Sequence, residues 1–166
     1  DLFWRANQLF KNIDFWVSYS WIEHQRNYRN FPVEAMPSYS TNHNLSVVSK
    51  IWMPKLRSPI GLTFNAISGR PYENPNTEGF LNERSKIFKS INASWAYLIS
   101  QQKILFFSIS NLSGFRNEFG YEYSANINEN GLFPGRVVRP NDDQFFFVGF
   151  FMTISNDKTK NQLNNL

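Results

Sequence analysis

The sequence predicts an all-β chain, an antiparallel transmembrane β-barrel contributing about seven strands. Three observations carry that reading. Apolar and polar residues alternate with period two in six segments, those segments hold almost no charge, and the connections between them run long, short, long, short, long.

Taken in chain order, a partial strand from Leu2 to Ala6 opens the chain. In residues 13–21, Ile13, Phe15, Val17, Tyr19 and Trp21 oppose Asp14, Trp16, Ser18 and Ser20. Residues 45–53 set Leu45, Val47, Ile51 and Met53 against Ser46, Val48, Lys50 and Trp52. In residues 60–68, Ile60, Leu62, Phe64 and Ala66 alternate with Gly61, Thr63 and Asn65. The cleanest case is residues 90–99, where Ile91, Ala93, Trp95, Tyr97 and Ile99 should meet lipid while Ser90, Asn92 and Ser94 face the lumen. Residues 104–112 alternate through Leu105, Phe107 and Ile109, and residues 144–155 through Phe146, Val148, Phe150, Met152 and Ile154.

Alternation alone also describes a soluble sandwich. Charge separates the two. Of the 17 basic and 13 acidic residues, only Asp14 and Lys50 lie in the six segments, both on the polar face. A solvent face accepts Lys and Glu freely, whereas one Lys or Arg at the midplane of a lipid face costs roughly 2–4 kcal/mol. The connections span 22–44, 54–59, 69–89, 100–103 and 113–143, and loops of that greater length are uncommon in compact soluble domains. Long loops are then extracellular, and the short turns at 54–59 and 100–103 periplasmic. Each segment is long enough to cross a bilayer as a tilted strand. Trp21, Trp95 and Tyr97 lie towards segment ends, where amphipathic rings favour the interface.

Composition agrees. The chain is 17% aromatic, with 17 Phe, although its mean hydropathy is on the polar side, as expected when apolar residues hold one face only. No stretch approaches the roughly 18 apolar residues of a membrane helix. There is no cysteine, which excludes disulfides, thiolate metal sites and Cys nucleophiles. Arg26, Arg57, Arg70, Arg116 and Arg139 are scattered and form no basic stripe, so nucleic acid is not an expected partner. Seven strands are too few and odd in number for a single-chain bacterial barrel. Open edges in lipid would leave backbone groups unpaired, so further strands are expected from outside this sequence, most simply upstream of Asp1.

Short motifs in order along the chain resemble the C-terminal third of TonB-dependent outer-membrane receptors of the Bacteroidota type. They include Leu2-Phe3-Trp4-Arg5, Phe15-Trp16-Val17-Ser18-Tyr19-Ser20, Pro37-Ser38-Tyr39 and His43-Asn44-Leu45. Ser68-Gly69-Arg70-Pro71-Tyr72-Glu73-Asn74-Pro75, Ser110-Asn111-Leu112-Ser113-Gly114, Phe119-Gly120-Tyr121-Glu122-Tyr123-Ser124 and the closing Phe145-Phe146-Phe147-Val148-Gly149 follow. The resemblance implies a barrel of about 22 strands around a plugged lumen in a Gram-negative outer membrane. It implies import of a nutrient such as a siderophore, glycan or peptide, with no cofactor. The implied partners are outer-membrane lipid, the remaining strands and plug upstream, the TonB complex, and a surface lipoprotein or other outer-membrane proteins. An alternative is a receptor-like barrel serving as a structural or accessory subunit of an outer-membrane complex. Such barrels often finish on an aromatic residue, whereas here 156–166 reads as a polar periplasmic tail beyond the 1–155 barrel portion.

Candidate chemistry is sparse. His24 and His43 lie at the outer ends of successive strands, but a dyad needs an orienting carboxylate and a nucleophile within hydrogen-bond reach, which no spacing here defines, so no catalytic residue is assigned and the chain is not expected to be an enzyme. Two His without Cys or helical spacing do not define a metal site either. Arg70 and Tyr72 suit a sugar, carboxylate or phosphate, although Gly69 and Pro71 there also shape a strand exit and Arg70 has acids nearby to pair with. Arg116 and Tyr121 lie in an aromatic loop, Phe115 to Tyr123, that either stacks a ligand or packs over the rim. Asp14 and Lys50 are expected to meet each other or the plug, and Phe145 to Phe151 to form lipid face and girdle.

Overall fold

The computed structural model of the chain describes residues 1–155, without the side chains of residues 7–9; the expected tail, 156–166, lies outside the described residues. Eleven strands form among them. The first four are β1 (Leu2–Phe10), β2 (Ile13–Trp21), β3 (His43–Met53) and β4 (Ser58–Ile67), and the short pair β5 (Pro71–Tyr72) and β6 (Glu83–Arg84) follows. Next come β7 (Phe88–Ser100), β8 (Lys103–Ser110), the second short pair β9 (Gly120–Tyr123) and β10 (Gly135–Val138), and finally β11 (Phe145–Met152). One antiparallel sheet of seven strands runs β1-β2-β3-β4-β7-β8-β11, and β5/β6 and β9/β10 form separate hairpins.

All six expected segments are adjacent strands in chain order, with boundaries shifted by a few residues. The opening strand continues to Phe10, beyond the expected Ala6, with a register irregularity between those two residues. Conversely, β8 stops at Ser110, where Asn111 turns into the left-handed region at φ 52. The short connections share one end of the sheet. Asn12 takes φ 64 between β1 and β2, in keeping with the tolerance of Asn for that region. A single 3-10 turn, Pro54–Leu56, closes through Arg57 at φ 48, whose N–H donates to Pro54 O at 3.2 Å. The long loops 22–42, 68–87 and 111–144 occupy the other end.

Register sorts the side chains. Directly paired residues share a face, so Val17, Val47, Phe64, Ile91, Ile109 and Phe146 extend one continuous apolar face across β2 to β11. The opposite face carries Ser18, Ser46, Asn65 and Ser90 over its central strands. In residues 90–99, Ile91, Ala93, Trp95 and Tyr97 therefore lie on one face and Ser90, Asn92 and Ser94 on the other, and beyond Tyr97 the register slips between Leu98 and Ser100. The sheet is a single layer. Its buried hydrophobic residues are small in number, and Ala96, Leu98 and Ile104 cluster with Phe106 near the short-turn end. Phe146 remains 67% exposed and Phe150 56%. A soluble monomer rarely leaves an apolar face of that extent uncovered. Neither β1 nor β11 has a partner on its outer edge among the described residues, and the two do not pair with each other.

Two expectations need correction. Phe145, Phe147 and Phe151 are not on the apolar face: strand periodicity puts them opposite Phe146, Val148 and Phe150, so β11 is apolar on both sides. On that second side Phe106 lies directly across from Gly149, with its ring 6.1 Å from Phe147 and 6.3 Å from Phe151. A Cβ on Gly149 would come within 2.9 Å of the Phe147 ring, so glycine makes room for these rings. Asp14 is the other correction. It is the register partner of Lys50, yet its salt bridge goes to Arg5 on β1, with Arg5 Nε at 3.0 Å from Oδ1 and the second contact at 2.5 Å. The planar guanidinium fits a carboxylate through two bonds, which an ammonium cannot do.

Candidate functional site

The long loops carry the chemistry-bearing residues, and they fold against one another. In the second loop, 68–87, Gly69 passes so close to the Ser85 carbonyl that no side chain fits. There Arg70 N–H donates to Ser85 Oγ at 3.0 Å, and Ser85 N–H donates to Arg70 O at 2.9 Å, opening the β5/β6 hairpin. In the third loop, 111–144, the buried Asn111 amide donates to Phe115 O and Asp143 O, both at 2.7 Å, and so ties the two ends of the loop together. Buried Asn117 exchanges two hydrogen bonds with the Lys89 backbone, at 2.9 and 2.8 Å, which anchors the loop to β7.

Tyr72 of the second loop stacks on Tyr121 of the third, with ring centroids 4.7 Å apart and an interplanar angle of 24°. The Tyr72 hydroxyl donates to Glu83, which also accepts from Asn74 Nδ2 at 2.8 Å. These bonds hold the Glu83 carboxyl below the usual range, and burial followed by Glu83 itself pushes the Tyr72 phenol up. The Tyr121 hydroxyl donates to Glu118 Oε2 at 2.9 Å, which raises its own pKa. Glu118 Oε1 accepts from Lys86 at 2.9 Å and Arg139 at 2.8 Å, and its side chain is only 3% exposed. The hydrogen bond from Lys86 is the largest influence on this carboxyl. With Tyr121 and Arg139 it outweighs burial and lowers the pKa to about 2.

That shift has a consequence for acid stability. A carboxyl whose folded pKa lies below its ordinary value stabilises the folded form above that ordinary value and stops doing so as pH falls through the folded one. Docking of the third loop should therefore weaken only between pH 4.5 and about 2. Amide exchange of residues 118–123 followed across that window checks this. Protection should fall towards the lower end in the wild type, and Glu118→Gln should lack that transition.

Of the four candidate residues, the structure brings Tyr72 and Tyr121 together. Arg116 is elsewhere, 81% exposed and 4.0 Å from Asp143. Arg70 lines a cleft of about 220 Å³ with Ser85, Lys86, Phe88 and Phe119, the two Phe rings stacked at 6.3 Å and 19°. Contrary to expectation, Arg70 makes no ion pair among the described residues; Glu83 and Glu118 go to other partners. The aromatic loop packs within the chain, through Phe119 on Phe88 at the start of β7 and Tyr121 on Tyr72 of the second loop. The first loop joins through Phe31 against Phe80, 4.7 Å apart, and through Arg84, which bonds Asn42. The two histidines go to separate partners, His24 Nε2 to Ser40 Oγ at 3.2 Å and His43 Nδ1 to the Tyr19 hydroxyl at 2.8 Å.

Sequence reasoning missed Glu118, Lys86 and Arg139. A lone acid in a long loop carries no pattern, and the three meet only through the docking of the two hairpins. Comparison with protein-family models, curated proteins and solved structures finds no match for this chain.

Proposed function

We propose that this chain is part of the wall of an outer-membrane β-barrel receptor that imports a nutrient ligand in a TonB-dependent manner. The single observation that carries the reading is the apolar face running across six strands of the sheet, β2 to β11, backed by a largely polar face and left uncovered by any second layer. Lipid is the covering that suits such a face, since there the hydrocarbon replaces a packed partner sheet. The open edges of β1 and β11 support further strands on both sides. Long loops gathered at one end and short turns at the other agree with an extracellular and a periplasmic side. The motif resemblance to TonB-dependent receptors adds transport to that membrane reading.

A second reading, an accessory subunit of an outer-membrane complex, is favoured by one observation. The most aromatic loop contacts are satisfied within the chain, Tyr72 by Glu83 and Tyr121 by Glu118, as suits loops that pack rather than bind. The two are separated by deleting the gene in its host and measuring uptake of radiolabelled nutrients with TonB intact and inactivated. Loss of one TonB-dependent uptake, with the protein in the outer-membrane fraction, supports transport. Outer-membrane location with all uptake retained and other subunits co-purifying replaces transport by the accessory role. Recovery of the protein in the soluble fraction overturns both.

A further inference from the structure

We propose that the cleft beside Arg70 receives the acidic end, a carboxylate or phosphate, of a soluble ligand with a flat apolar body; the assignment rests on the receptor reading above and names the ligand class that reading leaves open. Three of the four loop residues suited to ligand binding are already engaged. Tyr72 is held by Glu83, Tyr121 by Glu118, and Arg116 lies against Asp143. Of these four, Arg70 is the one left unengaged: its guanidinium meets no carboxylate among the described residues.

The surroundings select an anion. Glu118 is the acid in the cleft wall, and it is shared between Lys86 and Arg139. Among the lining residues that one carboxylate stands against two cations, Lys86 and Arg70, so the cleft holds unbalanced positive charge. A guanidinium binds carboxylate or phosphate through paired, charge-assisted hydrogen bonds. Beside it, Ile67 and the stacked Phe88 and Phe119 offer an apolar wall for a ring or hydrocarbon. At about 220 Å³ the space is smaller than the roughly 300–1,000 Å³ that encloses a drug-sized molecule, so it takes one end of a ligand and not the whole.

The register decides where that ligand comes from. Ile67 and Phe88 are cross-strand partners on the same face as Asn65 and Ser90, opposite the apolar face. The cleft thus opens on the side away from lipid, which points to a solute and not to a lipid headgroup.

The test uses the full-length protein in nanodiscs, with 3-phenylpropionate and phenyl phosphate as probes and 3-phenylpropanol as the neutral analogue, read by saturation-transfer NMR. Both acids should bind, and the alcohol should bind at least tenfold more weakly. Arg70→Ala should weaken the acids about tenfold or more, the scale of losing a hydrogen bond to a charged group, and Arg70→Lys should restore part of it. Arg116→Ala, a comparable loss of surface charge, should leave binding unchanged. Equal binding of the alcohol, equal weakening by Arg116→Ala, or no acid binding to protein that retains the sheet's circular dichroism would overturn the assignment. So would displacement of the probes by lipopolysaccharide, which would make the anion a lipid phosphate. The uptake assay is read separately. Acid binding in a protein without TonB-dependent uptake keeps the cleft and removes the transporter, and uptake with no acid binding does the reverse.

Discussion

Phe64→Arg should destabilise the protein in a phospholipid bilayer by roughly 2–4 kcal/mol, the cost of a cation at the midplane of a barrel's lipid face. Phe64 is well inside β4, the central strand of the sheet, between Val47 and Ile91 on the apolar face. Two companion variants make the result diagnostic. Thr63→Arg, one residue away on the polar face beside Val48 and Asn92, should cost less, since in the proposed barrel that side faces the lumen. Trp21→Arg, on the apolar face but at the end of β2, should cost only about 0–1 kcal/mol, because the penalty fades near the interface. Equilibrium unfolding of the three in the same lipid checks the ranking. A larger cost for Thr63→Arg would invert the face assignment, and equal costs for Phe64→Arg and Trp21→Arg would remove the depth dependence that a membrane imposes.

The sheet was legible in the sequence because its physics is local and periodic. Side chains alternate by geometry, so Val17, Val47, Phe64 and Ile91 declare a face residue by residue, and the turns follow from where alternation stops. Edges blurred where local chemistry overrides pattern: Leu112 looked like strand, but Asn111 at φ 52 had already ended it. Pattern is less informative at β11. From Phe145 to Phe151 both faces are apolar, so alternation separates two sets of rings without saying that the second packs on Phe106. The loop cluster was the least legible part. Gly69, Arg70, Tyr72 and Tyr121 stood out by residue type, but Glu118, Lys86 and Arg139 owe their association to two hairpins meeting across a gap of more than thirty residues in the chain. No period or spacing encodes that meeting. Asp14 shows the same limit on a smaller scale. Its neighbour Lys50 was readable by strand adjacency, whereas the geometric advantage of Arg5 depends on the register of β1 against β2.

Gly69→Ala should open the second loop and, with it, the docking that assembles the Glu118 cluster. A Cβ built on Gly69 would lie 1.7 Å from the Ser85 carbonyl oxygen and 2.7 Å from the carbon behind it. Both are backbone atoms, so no side-chain rotation relieves the clash and the two arms of the hairpin must separate. Separation removes the Arg70 N–H bond to Ser85 Oγ at 3.0 Å and the Ser85 N–H bond to Arg70 O at 2.9 Å. It also displaces the neighbours of Ser85, Arg84 and Lys86, which reach Asn42 of the first loop and Glu118 of the third. Overpacking in a closed site costs about 1–3 kcal/mol, and local opening by that amount raises amide exchange about tenfold to a hundredfold. Exchange at Ser85 should therefore accelerate in that range while the β3 and β4 amides keep their protection, since Gly69 lies beyond the end of β4 at Ile67. Gly131→Ala supplies the contrast. It has open space around its Cβ but a φ of +76, so it should cost only the roughly 1–2 kcal/mol of a left-handed residue. Its effect should stay in the third loop and leave Ser85 protected. Unchanged exchange at Ser85 in Gly69→Ala would mean that the second loop does not close through this contact, and the cleft lined by Arg70 and Lys86 would lose its structural basis.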